Sequence, residues 1–466
     1  MDEQISQVAN QYFKELFTTT NPTNMGSVLD AVERRVTPNM NNALLQRYTP
    51  DEVRRALFQM HPSKSPSPNG MSPFFFQKYW NIVGSDVIKA ILSILNFGRM
   101  LRKINYAHIV LIPKKNDPKQ TSDYKPISLG NVVSIILYKV LANRLKTILP
   151  TIISEAQSTF VPNQLITDNT TVAYELLHRM WNKRNGKVGQ MVVKLDISKA
   201  YNRVEWGFLR NIMIKLGLDR RWVNMAMETI TTASYSVIIN REPKGFISHS
   251  RGIKQGDPFS PYLFLLCAKG LLALLRKAEE NRSLKGVLSS KHGVCISHLL
   301  FADDSLLFCQ ATVDECHRLL ELLGKYEGAS GQAINRQKTS VFFSKNTKRE
   351  VRNEIQQLLG ARVMTECEKY LGLPMPNGKS NVGTFKELQE RITKRVLGWK
   401  EKFISNAGRE ILIKTMAQAI PTYSMSLFKI PKSICDNINF LLARYWWGQT
   451  GAKRKIHWLS WNKLCT

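Results

Sequence analysis

Three carboxylates stand out by where they fall. Asp196 closes the apolar, β-branched run VVKLDISKAY, and Asp303 and Asp304 sit side by side in LLFADDSLLF, Leu299 to Phe308. Burying carboxylates beside leucine and phenylalanine is costly unless a cation or hydrogen-bond donors compensate. Two strands that end in acids can lie side by side in one sheet and bring all three carboxylates together. Such a cluster repels itself unless divalent cations neutralise it. Mg2+ takes one or two carboxylates and keeps positions for water and substrate phosphates. Two such ions, roughly 4 Å apart, can activate a hydroxyl and stabilise a leaving pyrophosphate, which is the chemistry of nucleotidyl transfer. An Asp-Asp pair alone is weak evidence, because any hairpin turn can contain one. Here the acids are a local exception in a chain with 66 Lys+Arg against 36 Asp+Glu, a net charge of +30.

A folded protein this basic usually meets a polyanion, and nucleic acid is the first candidate. The chain has 466 residues, 43% hydrophobic and 9% aromatic, which excludes a disordered polycation. Its seven cysteines are scattered, none in a CxxC pair, which argues against a disulfide framework or a common zinc module. The start, MDEQISQVAN, is polar and acidic and unlike a secretory signal. The longest apolar stretch, Pro261 to Leu275, is interrupted by Lys269 and is short for a membrane span. These features predict a soluble intracellular protein, or one carried on a nucleoprotein, with no membrane partner.

The acids need strands to aim them, and the pattern supplies these. Met191 to Tyr201 reads as a strand ending in an acid, and ISHLLFADDSLLFCQ as strand, two-acid turn, strand. Ala107 to Lys115 and Ser234 to Asn240 read as further strands, and Glu368 to Met375 as a short strand and turn. Helical spacing runs from Phe74 to Leu101, from Asn131 to a stop at Pro150, and from Ser260 onward. It also runs over Asn169 to Arg184, with Asn169 as candidate N-cap, and over Val313 to Gly331 with a glycine stop. Residues 1–55 read as amphipathic helices broken at TTTNPTN, and His61 to Pro73 as a proline-rich loop. From Arg391 to Thr466 there are 14 Lys/Arg and 3 Asp/Glu with interleaved aromatics. That composition suits contact with a nucleic-acid backbone. The tryptophans themselves fit a helical core. Mixed strands and helices with acids at strand ends give an α+β chain.

The ordered motifs PSKSPSPNGMSPFFFQKYW, VLIPKK, DYKPISLGNV, KLDISKAYNRVEW, RGIKQGDPFSPYLFLL, SHLLFADDSLLF, GQAINRQKTS, YLGLPM and GREILIKTMAQAIPTYSMS span most of residues 55–466. Through them the chain resembles the reverse transcriptases of plant-type LINE (non-LTR) retrotransposons. The resemblance implies a right-hand polymerase. Fingers and palm, with an antiparallel sheet, would cover 56–375. A helical, basic thumb would cover 376–466, after an N-terminal helical linker region over 1–55. It implies an RNA template, a DNA primer, dNTPs, and two Mg2+ ions, with Mn2+ as the alternative metal. An active retrotransposon enzyme would work in the nucleus. With about 55 residues ahead of the polymerase motifs and an end at WNKLCT, it also implies a fragment of a longer element.

The same resemblance assigns roles. Asp196 and Asp303 match the metal-binding carboxylates, with Asp304 the neighbour of the second. Ile197 would lend a backbone carbonyl to a metal. Tyr201 stands where the family keeps an aromatic that blocks a nucleotide 2′-hydroxyl. Gln255 and Gly256 match the turn that meets the incoming nucleotide, Lys115 and Lys125 the fingers residues near the triphosphate, and Lys338 a lysine that assists the leaving pyrophosphate. Departures from the family pattern are Lys125 for arginine, Asn202 for aspartate, Asn163 and Gln164 for Gly-Arg, and Ser67 and Asn69 for glycine and aspartate. None is one of the three acids. They leave a catalytically inactive, nucleic-acid-binding relic as the alternative to an active enzyme. A group II intron maturase would share the palm but would carry tyrosine where Phe301 stands. A two-metal nuclease would lack the pairing of QGDP with FADD.

Overall fold

The computed structural model describes residues 2–153, 157, 159–162, 164–290, 293–302, 304–364, 369–374, 381–399, 404–448 and 458–465. The strands among them are β1 (Tyr106–Pro113), β2 (Tyr124–Gly130), β3 (Gln190–Ser198), β4 (Ser234–Ile239), β5 (Glu242–Ser248), β6 (Val287–Leu288) and β7 (Cys295–Ile296). They continue with β8 (His298–Phe301), β9 (Asp304–Gln310), β10 (Ala333–Ile334), β11 (Ser340–Phe343), β12 (Arg362–Val363), β13 (Lys369–Tyr370) and β14 (Leu373–Pro374).

The strand that carries Asp196 is central to the larger sheet, whose order is β12-β11-β3-β9-β8, with β10 also paired to β3. Side chains alternate across a strand, and β3 uses both faces. Met191, Val193, Leu195 and Ile197 enter the large core together with the buried face of the helix Ser260–Glu280. Val192 faces the other way, with Leu299, Leu306 and Phe308, and the helix Ile166–Asn182 covers it through Ala173, Leu176, Leu177 and Met180. Lys194 and Asp196 continue that second face beyond the helix, so the strand end stays accessible. The second sheet, β2-β1-β4-β5, pairs β1 with β4 in parallel and its other neighbours antiparallel. Sheets and helices together give the mixed α/β chain that the pattern predicts.

Residues 2–58 pack into this body. The helix Asp2–Phe17 buries Ala9, Phe13, Leu16 and Phe17 against Ile109, Tyr235, Val237 and Ile247 of the smaller sheet. Val28, Val36, Leu44, Val53 and Leu57 join the large core. Beyond residue 381, helices Asn381–Leu397, Asn406–Leu412, Ala419–Met425 and Lys432–Trp446 enclose their own core of Phe385, Ile392, Val396, Ile434 and Tyr445. Trp399, Trp446 and Trp461 pack on it, whereas Trp458 is 80% exposed.

Three local expectations change. The helix expected to stop at Pro150 runs from Val132 to Ile152. Pro150 lies in its last turn, where buried Leu149 and Ile152 hold the chain despite the missing N–H. Asn169 is not an N-cap, because the helix starts at Ile166 and the Asp168 carboxylate accepts from Leu165 N at 3.1 Å. The expected helix from Phe74 to Leu101 divides into Pro73–Lys78 and Trp80–Phe97, and Gly98 ends the second in the left-handed conformation. Between Phe58 and Pro73 the chain has no regular element, as its prolines predict.

Candidate active site

β3 and β9 are antiparallel, and their register ends with Asp196 directly opposite Asp304. Directly opposed residues share a sheet face with Cβ atoms about 5 Å apart, and like charges there are destabilising. β8 and β9 form a hairpin closed by Phe301 opposite Asp304. Asp303 itself lies outside the described residues. Ala302 has φ +53, a left-handed conformation unusual for alanine and typical of strained functional turns. Asn169 braces the hairpin from behind, since its buried amide donates to Leu300 O at 2.9 Å.

Lys338 places its Nζ 3.7 Å from Asp196 Oδ2. The loop that carries it is tied to β3, because Asn335 N donates to Asp196 O at 2.8 Å. Ile197 points its buried side chain into the core and presents only backbone to the site. Tyr201 stacks on Phe264, with ring centroids 5.1 Å apart and planes 14° from parallel. Its carbonyl accepts from Ile253 N, which joins the segment after β3 to the RGIKQGDP segment. Gln255 O accepts from Ser128 N at 2.8 Å, pressing that turn against β2. At Gly256, φ is +119 and a Cβ would stand 3.0 Å from Ser128 O, so glycine is required.

Of the two expected fingers lysines, one is paired and the other faces solvent. Lys115 pairs with Asp123 at 2.9 Å, and this contact leads a set of hydrogen bonds that pull the Asp123 carboxyl down to about 2. Lys125 is exposed on β2. Two lysines not singled out in the sequence stand together with Lys338, the lysine beside Asp196. Lys114 Nζ and Lys199 Nζ both donate to Ser122 O, at 3.1 and 3.4 Å. Burial, then Lys199, then Lys338 hold the Lys114 ammonium down at about 8. Burial also lowers Lys199, with Lys338 and Arg203 adding to the effect. Lys199 sits at φ +53 three residues after Asp196, which turns the chain off the strand. Three mutually repelling cations beside an acidic strand end form a cradle suited to a polyanion.

A second missed group is buried under the Gln255–Gly256 turn. Lys254 donates to Asn105 O at 3.1 Å, to Asn105 Oδ1, and to Tyr138 OH at 3.0 Å. Burial pushes its ammonium down to about 8, against the pull of Asp257. Asp257 accepts from Phe259 N, Ser260 N and Ser260 Oγ and caps the helix Ser260–Glu280.

The donor set fits divalent cations. Asp196 and Asp304 are hard oxygen donors on one accessible face. Among the described residues no group of three His, Cys, Asp or Glu gathers as a metal site. Among them, too, no helix is long and apolar enough to cross a membrane.

A family model described as reverse transcriptase (RNA-dependent DNA polymerase) matches residues 112–375, which includes both acidic strands. A Xenopus laevis protein named "Transposon TX1 uncharacterized 149 kDa protein" is 27% identical over 88% of this chain and 30% of its own length. The "Retrovirus-related Pol polyprotein from type-2 retrotransposable element R2DM" of Drosophila melanogaster is 26% identical over 64% of this chain and 26% of its own. A Nasonia vitripennis Pol polyprotein from a type-1 R2 element is 26% identical over 52% of this chain. The chain thus spans less than a third of the length of these relatives. With the polymerase model covering more than half of it, the chain belongs to the reverse transcriptase family, on its non-LTR retrotransposon branch.

Proposed function

We propose that the chain catalyses RNA-templated DNA synthesis with a DNA primer and dNTPs. The observation that carries this reading is the Asp196–Asp304 register pair beside Lys338, Lys114 and Lys199. Asp196, Asp303, Asp304 and the Ile197 carbonyl would hold two Mg2+ ions, with Mn2+ able to substitute. When bound, these ions supply activation of the primer 3′-hydroxyl and charge neutralisation at the α-phosphate and leaving pyrophosphate.

The protein's own part is positioning. Lys114 and Lys199 would grip the triphosphate, with Lys115 and Lys125 at its outer edge. Lys338 would follow the charge that develops on the leaving pyrophosphate. The Gln255–Gly256 turn would meet the base and sugar, and the Tyr201 ring would close the space a 2′-hydroxyl needs. In right-hand terms, 56–375 would form fingers and palm and 376–466 the thumb. Residues 1–55 buttress that body.

The test is a primer-extension assay with poly(rA)/oligo(dT), dTTP and Mg2+, beside Asp303→Ala. Incorporation by the wild type and its loss in the variant is the expected result. No incorporation by either, with nucleic-acid binding retained, would replace the enzyme with the inactive relic. Full activity in Asp303→Ala would move the metal site elsewhere.

A further inference from the structure

A hydroxyl from the C-terminal helices reaches the hairpin that borders the acids. Tyr423, on the helix Ala419–Met425, donates to Leu371 O at 3.2 Å, and Thr170 Oγ1 lies 3.5 Å from the Tyr423 hydroxyl oxygen. Leu371 and Gly372 are the two turn residues between β13 and β14, with φ +50 and +81. Positive φ at both positions is the type I′ pattern, which favours Asn-Gly. Leucine lacks the local side-chain hydrogen bond that eases asparagine into this conformation. This turn therefore depends on a contact from outside it, and Tyr423 provides one.

The hairpin touches the carboxylate face from two directions. Lys194 Nζ donates to Lys369 O at 2.6 Å, and Lys194 lies two residues before Asp196 on the same face of β3. Tyr370 is fully buried in one apolar cluster with Leu299 of β8 and with Leu306 and Phe308 of β9, the strand that begins at Asp304. Thr170 follows Asn169, the residue that braces Leu300 behind the acidic turn. Tyr174, one turn further along the same helix, packs on Phe428, with ring centroids 4.6 Å apart. The helix Ile166–Asn182 thus holds the acidic hairpin with one residue and the C-terminal helices with the next.

We propose that Tyr423 is a positioning residue whose hydroxyl fixes the Leu371–Gly372 turn and so couples the placement of the C-terminal helices to the Asp196/Asp304 pair. The kinetic half of this proposal rests on the polymerase reading. The structural half does not.

Tyr423→Phe removes the hydroxyl and keeps the ring. Amide hydrogen exchange should rise about tenfold across residues 369–374, the order expected for one lost hydrogen bond, and stay unchanged in the helices Asn381–Leu397 and Lys432–Trp446. Unchanged exchange in the hairpin would overturn the coupling. In primer extension, kcat should fall about tenfold while KM for dTTP and the melting midpoint hold. A raised KM with kcat intact would overturn the positioning role. Adding Leu371→Asn to Tyr423→Phe should restore both exchange and kcat, because Asn-Gly holds the turn by itself. Failure of that rescue would mean the hydroxyl acts elsewhere, and would also overturn the proposal. A wild type that incorporates nothing would refute the polymerase reading, while the exchange measurements would still decide the coupling.

Discussion

Asp196 and Asp304 face each other as direct register partners across the central strands of the larger sheet. The fold therefore holds two like charges about 5 Å apart at their Cβ atoms, an arrangement that opposes folding. Without metal, Asp196→Asn should be as stable as the wild type or more stable, by about 0.2–1 kcal/mol. In primer extension it should lose at least about a hundredfold in rate, since several kcal/mol of charge stabilisation go with the ligand. Urea melts in EDTA and single-turnover assays in Mg2+ check the two halves. A destabilised but active variant would reject the role of Asp196.

Lys114 and Lys199 share the Ser122 carbonyl and repel each other. Removing one should release the other. In Lys199→Met, the Lys114 titration midpoint should climb from about 8 toward the ordinary lysine value. NMR of 13C-methylated lysines reads this directly. The same variant should raise KM for dTTP by roughly tenfold, the worth of one charge-assisted hydrogen bond. A midpoint that does not move would refute the cradle.

Lys254 gives a pH dependence with a definite sign. Its ammonium is held near 8 in the fold and at the usual 10.5 in the unfolded chain. Between these values the unfolded state binds the extra proton, so the stability contributed by this residue rises with pH. Below pH 8 both states are protonated and the contribution is flat at its lowest level. Compared with Lys254→Met, the wild type should gain urea resistance from pH 8 to 10. A constant difference over that range would contradict the buried ammonium.

Gly256 sits at φ +119, and a Cβ there would crowd the Ser128 carbonyl at 3.0 Å. Gly256→Ala should destabilise by about 1–3 kcal/mol, the usual cost of forcing a side chain into this conformation. It should also raise KM for dTTP. Gly26, with open space around it and no positive φ, is the control and should stay within about 0.5 kcal/mol on substitution by alanine. Equal effects at both positions would remove the case for a pressed turn.

Tyr201 is stacked flat on Phe264 and fixed near the QG turn by its own carbonyl. Tyr201→Ala should raise the ratio of ribonucleotide to deoxyribonucleotide use at least tenfold in competition assays. An unchanged ratio would end its role as a sugar gate.

Much of this site can be read from the sequence because strands alternate. KLDI and FADDSLLF each put an acid at the end of a period-two pattern, and β3 and β9 then align these ends. The lysines are less legible. Lys114 and Lys115 are adjacent and chemically alike, and only the path of the chain after Pro113 turns one to Lys199 and the other to Asp123. Lys254 reads as part of a turn, because nothing local announces that Asn105 and Tyr138 will enclose it. Asn169 is a sound cap residue by type, but the helix gains a turn upstream through Asp168 and leaves Asn169 free to hold Leu300. Ser67, a departure from the family pattern, is buried and accepts from Val132 N at the start of the long helix. Its hydroxyl does work that glycine could not.

The central place of β3 also sets a timetable. Its partners β9 and β11 follow it by more than a hundred residues. At synthesis rates of about 5–20 residues per second, MVVKLDI waits roughly 5–20 s with both edges unpaired. An apolar, β-branched strand in that state is a template for the next nascent chain. The yield of this protein in a host cell turns on that interval, and on whether a chaperone or a second copy reaches the strand first.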